Sequence, residues 1–193
     1  MMITVLIDNG HGKETPGKRS PDGRLLEWAW TRRVARRLKA RLEGAGVRAV
    51  LLVPEDNDVP LGERCRRANA FGRDAVLVSI HVNAAGNGSA WTAARGFSVF
   101  VAPACSEKSK ALARRFTSLA LERGLTGNRC VPAALWWPGN FAICRDTVCP
   151  AVLTENLFQD NADDVEFLLS ARGEDAIVNL HFDALTGYRE GAA

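Results

Sequence analysis

Ile7-Asp8-Asn9-Gly10-His11-Gly12 is the stretch where an apolar run turns abruptly into a polar, glycine-flanked one. The run leading into it, Ile3-Thr4-Val5-Leu6-Ile7, is rich in β-branched residues and reads as a buried strand. Glycine on both sides of His11 lets the backbone bend sharply and lets a neighbour approach closely. In open α/β sheets, ligands bind beyond the carboxyl ends of the strands. A histidine delivered to that edge is a candidate metal ligand or proton carrier.

Two further apolar runs repeat the arrangement. Ala75-Val76-Leu77-Val78-Ser79-Ile80 ends in His81-Val82-Asn83, and Ala151-Val152-Leu153-Thr154 ends in Glu155-Asn156. Each predicted strand thus ends in an ionisable side chain, a pattern that points to a built site.

Between the first two strands, Leu26, Trp30, Val34, Leu38 and Leu42 recur every four residues and predict a helix. Ser20 or Asp22 is a candidate cap at its start, and Gly44 and Gly46 end it. Glu27 falls in the first turn beside the apolar stripe, where a carboxylate can face inward. Arg32, Arg33, Arg36, Arg37, Lys39 and Arg41 make the other face basic. That face reads as solvated, with attraction to an acidic polymer such as cell-wall phosphate as the minor alternative.

Further strands are expected over Val47–Val53 and Phe97–Val101, and further helices over Leu61–Phe71, Ser106–Arg123, Asn161–Leu169 and Glu174–Tyr188. Asn83–Gly96 has no period and reads as a mobile loop, and Thr126–Asn140 is loop-rich. Without repeat, linker or low-complexity tract, residues 1–193 read as one catalytic domain. Alternating strands and helices give an α/β fold, with a central, mostly parallel or mixed sheet covered by helices on both faces.

Composition narrows the function classes. A net charge of +3 gives no argument for a nucleic-acid partner. No apolar run reaches the ~20 residues of a membrane span. The N-terminus lacks a basic region followed by an apolar core and a cleavage site, so the chain is expected to be made in the cytoplasm and to act after export or release. Cys65, Cys105, Cys130, Cys144 and Cys149 form no Cys-x-x-Cys pair and read as small buried residues in a reducing compartment. Oligomeric state is not legible in these features.

His11, Glu27 and His81 together offer two imidazoles and a carboxylate, a donor set used by catalytic zinc with one position left open. Zinc would acidify a bound water and polarise an amide carbonyl, while Glu155 would carry the proton to the leaving amine. The residues alone therefore point to a metal-dependent hydrolase of an amide or ester. Two satisfied polar histidines at strand ends are the competing reading.

The surrounding motifs add a resemblance. Ile7–Gly12, Glu27, Ser79-Ile80-His81-Val82-Asn83-Ala84 and Ala151–Asn161 follow in the order and register of the zinc-dependent N-acetylmuramoyl-L-alanine amidases of the amidase-3 type. Arg64, Ala68-Asn69 and Arg95-Gly96 match as well, and the resemblance spans Ile3 to about Tyr188. It implies zinc held by His11, Glu27 and His81, with Glu155 as the catalytic carboxylate. The substrate it implies is peptidoglycan, cut between N-acetylmuramic acid and the L-alanine of the stem peptide. Asn9 stands where the family usually has proline, and Lys13 where glycine is common. The Val82–Arg95 loop is too short for the regulatory helix of some members, and wall-binding repeats are absent. The chain therefore looks most like a phage or prophage lysin, or a trimmed catalytic domain. Competing functions are a zinc carboxypeptidase or endopeptidase cutting within the stem, and a non-catalytic peptidoglycan-binding relative.

Other residues carry secondary expectations. His181 shares a helix face with Ile177, Ala184, Leu185 and Tyr188 and reads as a core histidine. Trp136 and Trp137 either stack on substrate or pack beneath their loop. Asp8 and Asn83 flank the proposed ligands and are candidates to orient them.

Overall fold

The computed structural model describes residues 3–191. Met1, Met2, Ala192 and Ala193, which belong to the expected 1–193 domain, lie outside them. Six strands form one sheet in the order β2-β1-β3-β6-β4-β5. They are β1 (Thr4–Asn9), β2 (Ala49–Leu51), β3 (Ala75–Asn83), β4 (Ser98–Val101), β5 (Trp137–Pro138) and β6 (Ala151–Phe158). β2, β1, β3 and β6 run parallel, β4 pairs antiparallel with β6, and β5 pairs parallel with β4. The sheet is thus mixed, as the alternation of elements suggests.

Helices α1 (Glu27–Gly44), α3 (Glu107–Glu122), α5 (Ala162–Leu169) and α6 (Ala171–Gly191) contribute to the core on one face of the sheet. Among the described residues the other face carries two helices, α2 (Leu61–Asn69) and the four-residue α4 (Ala142–Arg145). This asymmetry positions the site. Side chains alternate between the faces along each strand. Val76, Val78, Ile80 and Val82 of β3 enter the larger core, whereas Ala75 and Leu77 meet the α2–α4 layer. Ser79 and His81 continue the Ala75–Leu77 row, as Asp8 follows Leu6 and Glu155 follows Leu153. Each row is apolar under the short helices and polar beyond them.

Several elements depart from expectation. β2 covers only Ala49–Leu51 of the expected Val47–Val53, and α2 stops at Asn69. Neither His81 nor Glu155 ends its strand: they stand side by side within β3 and β6, and β6 runs on to Phe158. Beyond them one extra β6 residue shifts the register, with Leu157 in the left-handed region at φ 65°. Asn156 Nδ2 spans the bulge by donating to the His81 carbonyl at 2.9 Å.

α1 begins at Glu27, without a side-chain cap. Ser20 and Asp22 are bound up in the preceding turn, where Ser20 Oγ donates to Asp22 Oδ1 and accepts from Leu25 N. Leu26 stays 38% exposed and makes a bridge to Arg19 rather than joining the buried stripe. The basic face of α1 is only partly solvated. Arg33 and Arg37 pair with Glu174 on α6, Arg41 lies over the Phe182 ring, and Arg32 is buried.

The Asn83–Gly96 loop is irregular, as expected, but tied down. Asp160 accepts from the backbone of Ala85 and Gly86, and Asn161 Nδ2 donates to Thr92 O. All five cysteines are free thiols; Cys65, Cys144 and Cys149 are buried, Cys105 is partly buried and Cys130 is exposed.

Candidate metal centre

His11 follows β1 in the left-handed conformation at φ 60°, and its ring meets the His81 ring edge-on with 4.9 Å between centroids. The flanking glycines are required sterically. A Cβ on Gly10 would lie 2.5 Å from the His81 ring, and one on Gly12 would lie 2.1 Å from the Asp58 backbone nitrogen. Two buried arginines hold the turn. Arg32 and Arg64 both donate to the His11 carbonyl, and Arg64 also reaches Asn9 O, Val59 O and the Asp8 carboxylate.

Glu27 is the first residue of α1, where a carboxylate gains from the helix dipole. Its side chain is 1% exposed and lies between the two imidazoles. His11 Nε2 stands 3.4 Å from Oε2, and His81 Nδ1 stands 3.2 Å from Oε1. Val82 N donates to Oε1 at 2.9 Å, whereas Oε2 is buried without a hydrogen-bond partner among the described residues. One ligand atom from each of His11, Glu27 and His81 lies within 4.8 Å of the other two. A buried anion between two imidazoles, with an oxygen left unbonded, is an expensive arrangement that a cation resolves. The donor set fits zinc, a metal bound by nitrogen and oxygen in catalytic sites that keep one position open.

Electrostatics agree with a cation site. Burial lowers the His11 pKa to about 4, keeping the ring in the neutral form that binds metal. Burial is the largest influence and opposes charge on both Glu27 and His81, but their mutual hydrogen bond and the attraction of neighbouring opposite charges together outweigh it, lowering the first pKa and raising the second. Glu155 has no such partner. Burial pushes its carboxyl up to about 7, with His81 opposing and Glu27 adding to the rise. A carboxyl poised near neutrality suits a group that must both take and give a proton.

His11, His81 and Glu155 open on one cavity of about 580 Å³. Val59, Pro60, Leu61, Phe141, Ile143 and Leu153 supply its apolar wall, and Lys18 lies on its rim. The sequence-derived site residues therefore come together. The secondary expectations fare unevenly. His181 is fully buried, bonded to Thr154 Oγ1 and Ile177 O, and is a core residue. Asp8 binds Arg64 and Ser79 and supports the His11 turn through that arginine, while Asn83 Oδ1 caps Ala84 N and, among the described residues, makes no side-chain hydrogen bond to either histidine. Trp136 packs against the larger core, with the Lys110 ammonium 5.9 Å from its ring centroid. Trp137 lies in β5 against Phe100. Neither tryptophan lines the cavity, so packing accounts for both.

Three contributors escaped sequence reading. Arg32 was indistinguishable from its basic neighbours, and Asn156 looked like a strand end. The role of Gly10 beside His81 became visible only once β1 and β3 were paired.

Comparison with known proteins follows the same lines. A family model described as N-acetylmuramoyl-L-alanine amidase matches residues 5–191. The N-acetylmuramoyl-L-alanine amidase CwlM of Bacillus licheniformis is 32% identical over 186 residues, covering 95% of this chain and 68% of that protein. The endolysin of Bacillus phage SPP1 is 30% identical over 195 residues, covering 100% of this chain and 66% of its own length. The crystal structure of an N-acetylmuramoyl-L-alanine amidase from Clostridium difficile 630 superposes with a TM-score of 0.86 at 25% identity, covering 99% of this chain and 98% of that one.

Proposed function

The chain belongs to the N-acetylmuramoyl-L-alanine amidase family, and from that membership we propose how its own residues cut the amide between N-acetylmuramic acid and L-alanine. His11, Glu27 and His81 would hold zinc, and Glu155 would move the proton. The observation that carries this reading is the Glu27 carboxylate, buried between two imidazoles with one oxygen unbonded among the described residues, while both imidazoles and Glu155 line one cavity.

Bound zinc would supply a Lewis acid that polarises the muramoyl carbonyl and lowers the pKa of the attacking water to about 7. Glu155, beside His81 in the β3–β6 register, accepts the water's proton and delivers it to the amide nitrogen as the C–N bond breaks. The products are the lactyl carboxylate on the sugar and a stem peptide with a free N-terminal L-alanine. Arg32, Arg64 and Gly10 fix the two imidazoles so that little reorganisation is needed.

Residues 1–193 act as one catalytic unit on peptidoglycan in this reading, at the cell wall. Among the described residues no helix is long and apolar enough to cross a membrane. Mass spectrometry of purified peptidoglycan after digestion tests the proposal. Stem peptides with new N-terminal L-alanine support it, and cuts confined to the interior of the stem would replace it with an endopeptidase.

A further inference from the structure

The short helix α4 and the residue before it contribute to two cavities. Phe141, Ala142 and Ile143 line the reaction cavity, together with Glu155 and both histidines. Cys144 and Arg145 line a second cavity of about 740 Å³. Three of the five free thiols open on that second cavity: Cys105, Cys144 and Cys149.

Packing brings two of these thiols together from separate segments. β4 runs into the turn that carries Cys105, whose backbone N donates to Ala102 O at 3.1 Å. The segment entering α4 lies on the same strand. Gly139 N donates to Val101 O at 2.8 Å, and the Phe141 ring meets Phe100 edge-on with 5.4 Å between centroids. Cys105 and Cys144 each follow that contact by a few residues. Cys144 is buried in the layer under α2 and α4, and Cys105 packs against the same layer while staying partly exposed. Burial above all, and Asp8 next, push the Cys144 thiol up; of the other thiols, Cys105 acts on it most. A thiol held so fully protonated is a poor first nucleophile, which leaves the more accessible Cys105 as the entry point for an oxidant. Burial raises Cys105 as well, so that first step is slow.

We propose that peroxide links Cys105 to Cys144 in a disulfide, and that this bond shifts the wall of the reaction cavity carried by α4. Cys105 sulfur attacks peroxide, the O–O bond breaks, and water leaves behind a sulfenic acid. Cys144 sulfur then attacks the sulfenic sulfur; the S–S bond forms, and the departing hydroxide takes the Cys144 proton as a second water. A disulfide holds its two Cα atoms about 4.4–6.8 Å apart, and a four-residue helix is the element that yields to meet that span. Phe141 and Ile143 move with it.

The test uses the full chain with the exposed Cys130 changed to Ser, so that copies do not cross-link. Excess hydrogen peroxide is added and removed, free thiols are blocked, and peptides are mapped by mass spectrometry. A Cys105–Cys144 link is expected, with altered amide hydrogen exchange across residues 141–145. Hydrolysis should fall about tenfold in kcat/KM, since a misplacement of about 1 Å can cost about 10²-fold, and a phosphine reductant should restore it. Cys144→Ala should form no link and keep its activity through the treatment. If that variant fails to fold in a thermal melt, Cys105→Ala, at a partly exposed site, gives the same reading. All remaining thiols still blockable after peroxide, or a link through Cys65 or Cys149 instead, overturns the inference. So does a Cys105–Cys144 link that leaves exchange across 141–145 unchanged. Mapping and exchange need no substrate, so a protein that passes both yet cleaves no muramoyl amide contradicts the amidase reading alone.

Discussion

Arg32 Nη2 donates to the backbone carbonyl of His11 at 3.0 Å, although the two residues are separated by the whole exit loop of β1. The same guanidinium binds Trp28 O and Glu55 O, and its side chain is buried. Arg32 is therefore a fixed strut beneath a metal ligand, whereas Arg33 is half exposed and pairs with Glu174. Arg32→Met should lower zinc affinity by about 10- to 100-fold, the usual scale for losing a group that supports a ligand. Arg33→Met should cost at most about 1 kcal/mol in urea denaturation and leave zinc affinity alone. A chelator competition assay on both variants checks the contrast; equal zinc losses would refute it.

Gly10 carries a steric version of the same dependence. With a Cβ placed 2.5 Å from the His81 ring, Gly10→Ala must push the imidazole away from Glu27. The fold should survive, with a cost of about 1–3 kcal/mol from overpacking. Zinc affinity should fall by an order of magnitude or more, and activity with it. Unchanged zinc binding in a folded variant would show that His81 has room to give.

His181 predicts a pH dependence of stability unconnected with catalysis. Burial lowers its pKa from 6.5 to about 4, so the folded protein holds it neutral where the unfolded chain protonates it. Its contribution is intact above pH 6.5 and is lost progressively as pH falls towards 4, by up to about 3 kcal/mol. His11 titrates in the same direction when metal is absent, so the comparison must be with a His181→Leu variant. Denaturant midpoints between pH 7 and 4 should fall more steeply for the wild type. Parallel slopes would contradict the assignment.

The parts of this fold that were legible in sequence are those written in side-chain periodicity. The Trp30, Val34, Leu38 and Leu42 stripe and the apolar runs of β1, β3 and β6 each bury one recognisable row. His81 and Glu155 were legible because polar residues interrupt apolar strands at equivalent places, His11 because it follows β1 in a glycine-flanked turn, and Glu27 because it falls in the first turn of α1. What sequence obscured were tertiary decisions. Arg32 and Arg33 are neighbours with opposite fates because a helix rotates successive residues by about 100°. Glu155 looked like a strand terminus because the β6 bulge breaks the alternation just beyond it. For Trp136 and Trp137 the sequence leaves stacking on substrate and packing beneath the loop both open; the pairing of β5 at the sheet edge, with Trp137 against Phe100, decides for packing.

The central claim is that Glu27 binds zinc while Glu155 moves protons, and one paired measurement separates those roles. Zinc content by elemental analysis is read beside the hydrolysis rate for Glu27→Ala and Glu155→Gln. Glu27→Ala removes the carboxylate between His11 and His81, so zinc and activity should fall together. Glu155→Gln preserves the zinc ligands and should retain zinc near the wild-type level, while kcat drops by about 10²- to 10⁴-fold. Zinc lost from the Glu155 variant but kept by the Glu27 variant, or full activity in either, would contradict the account.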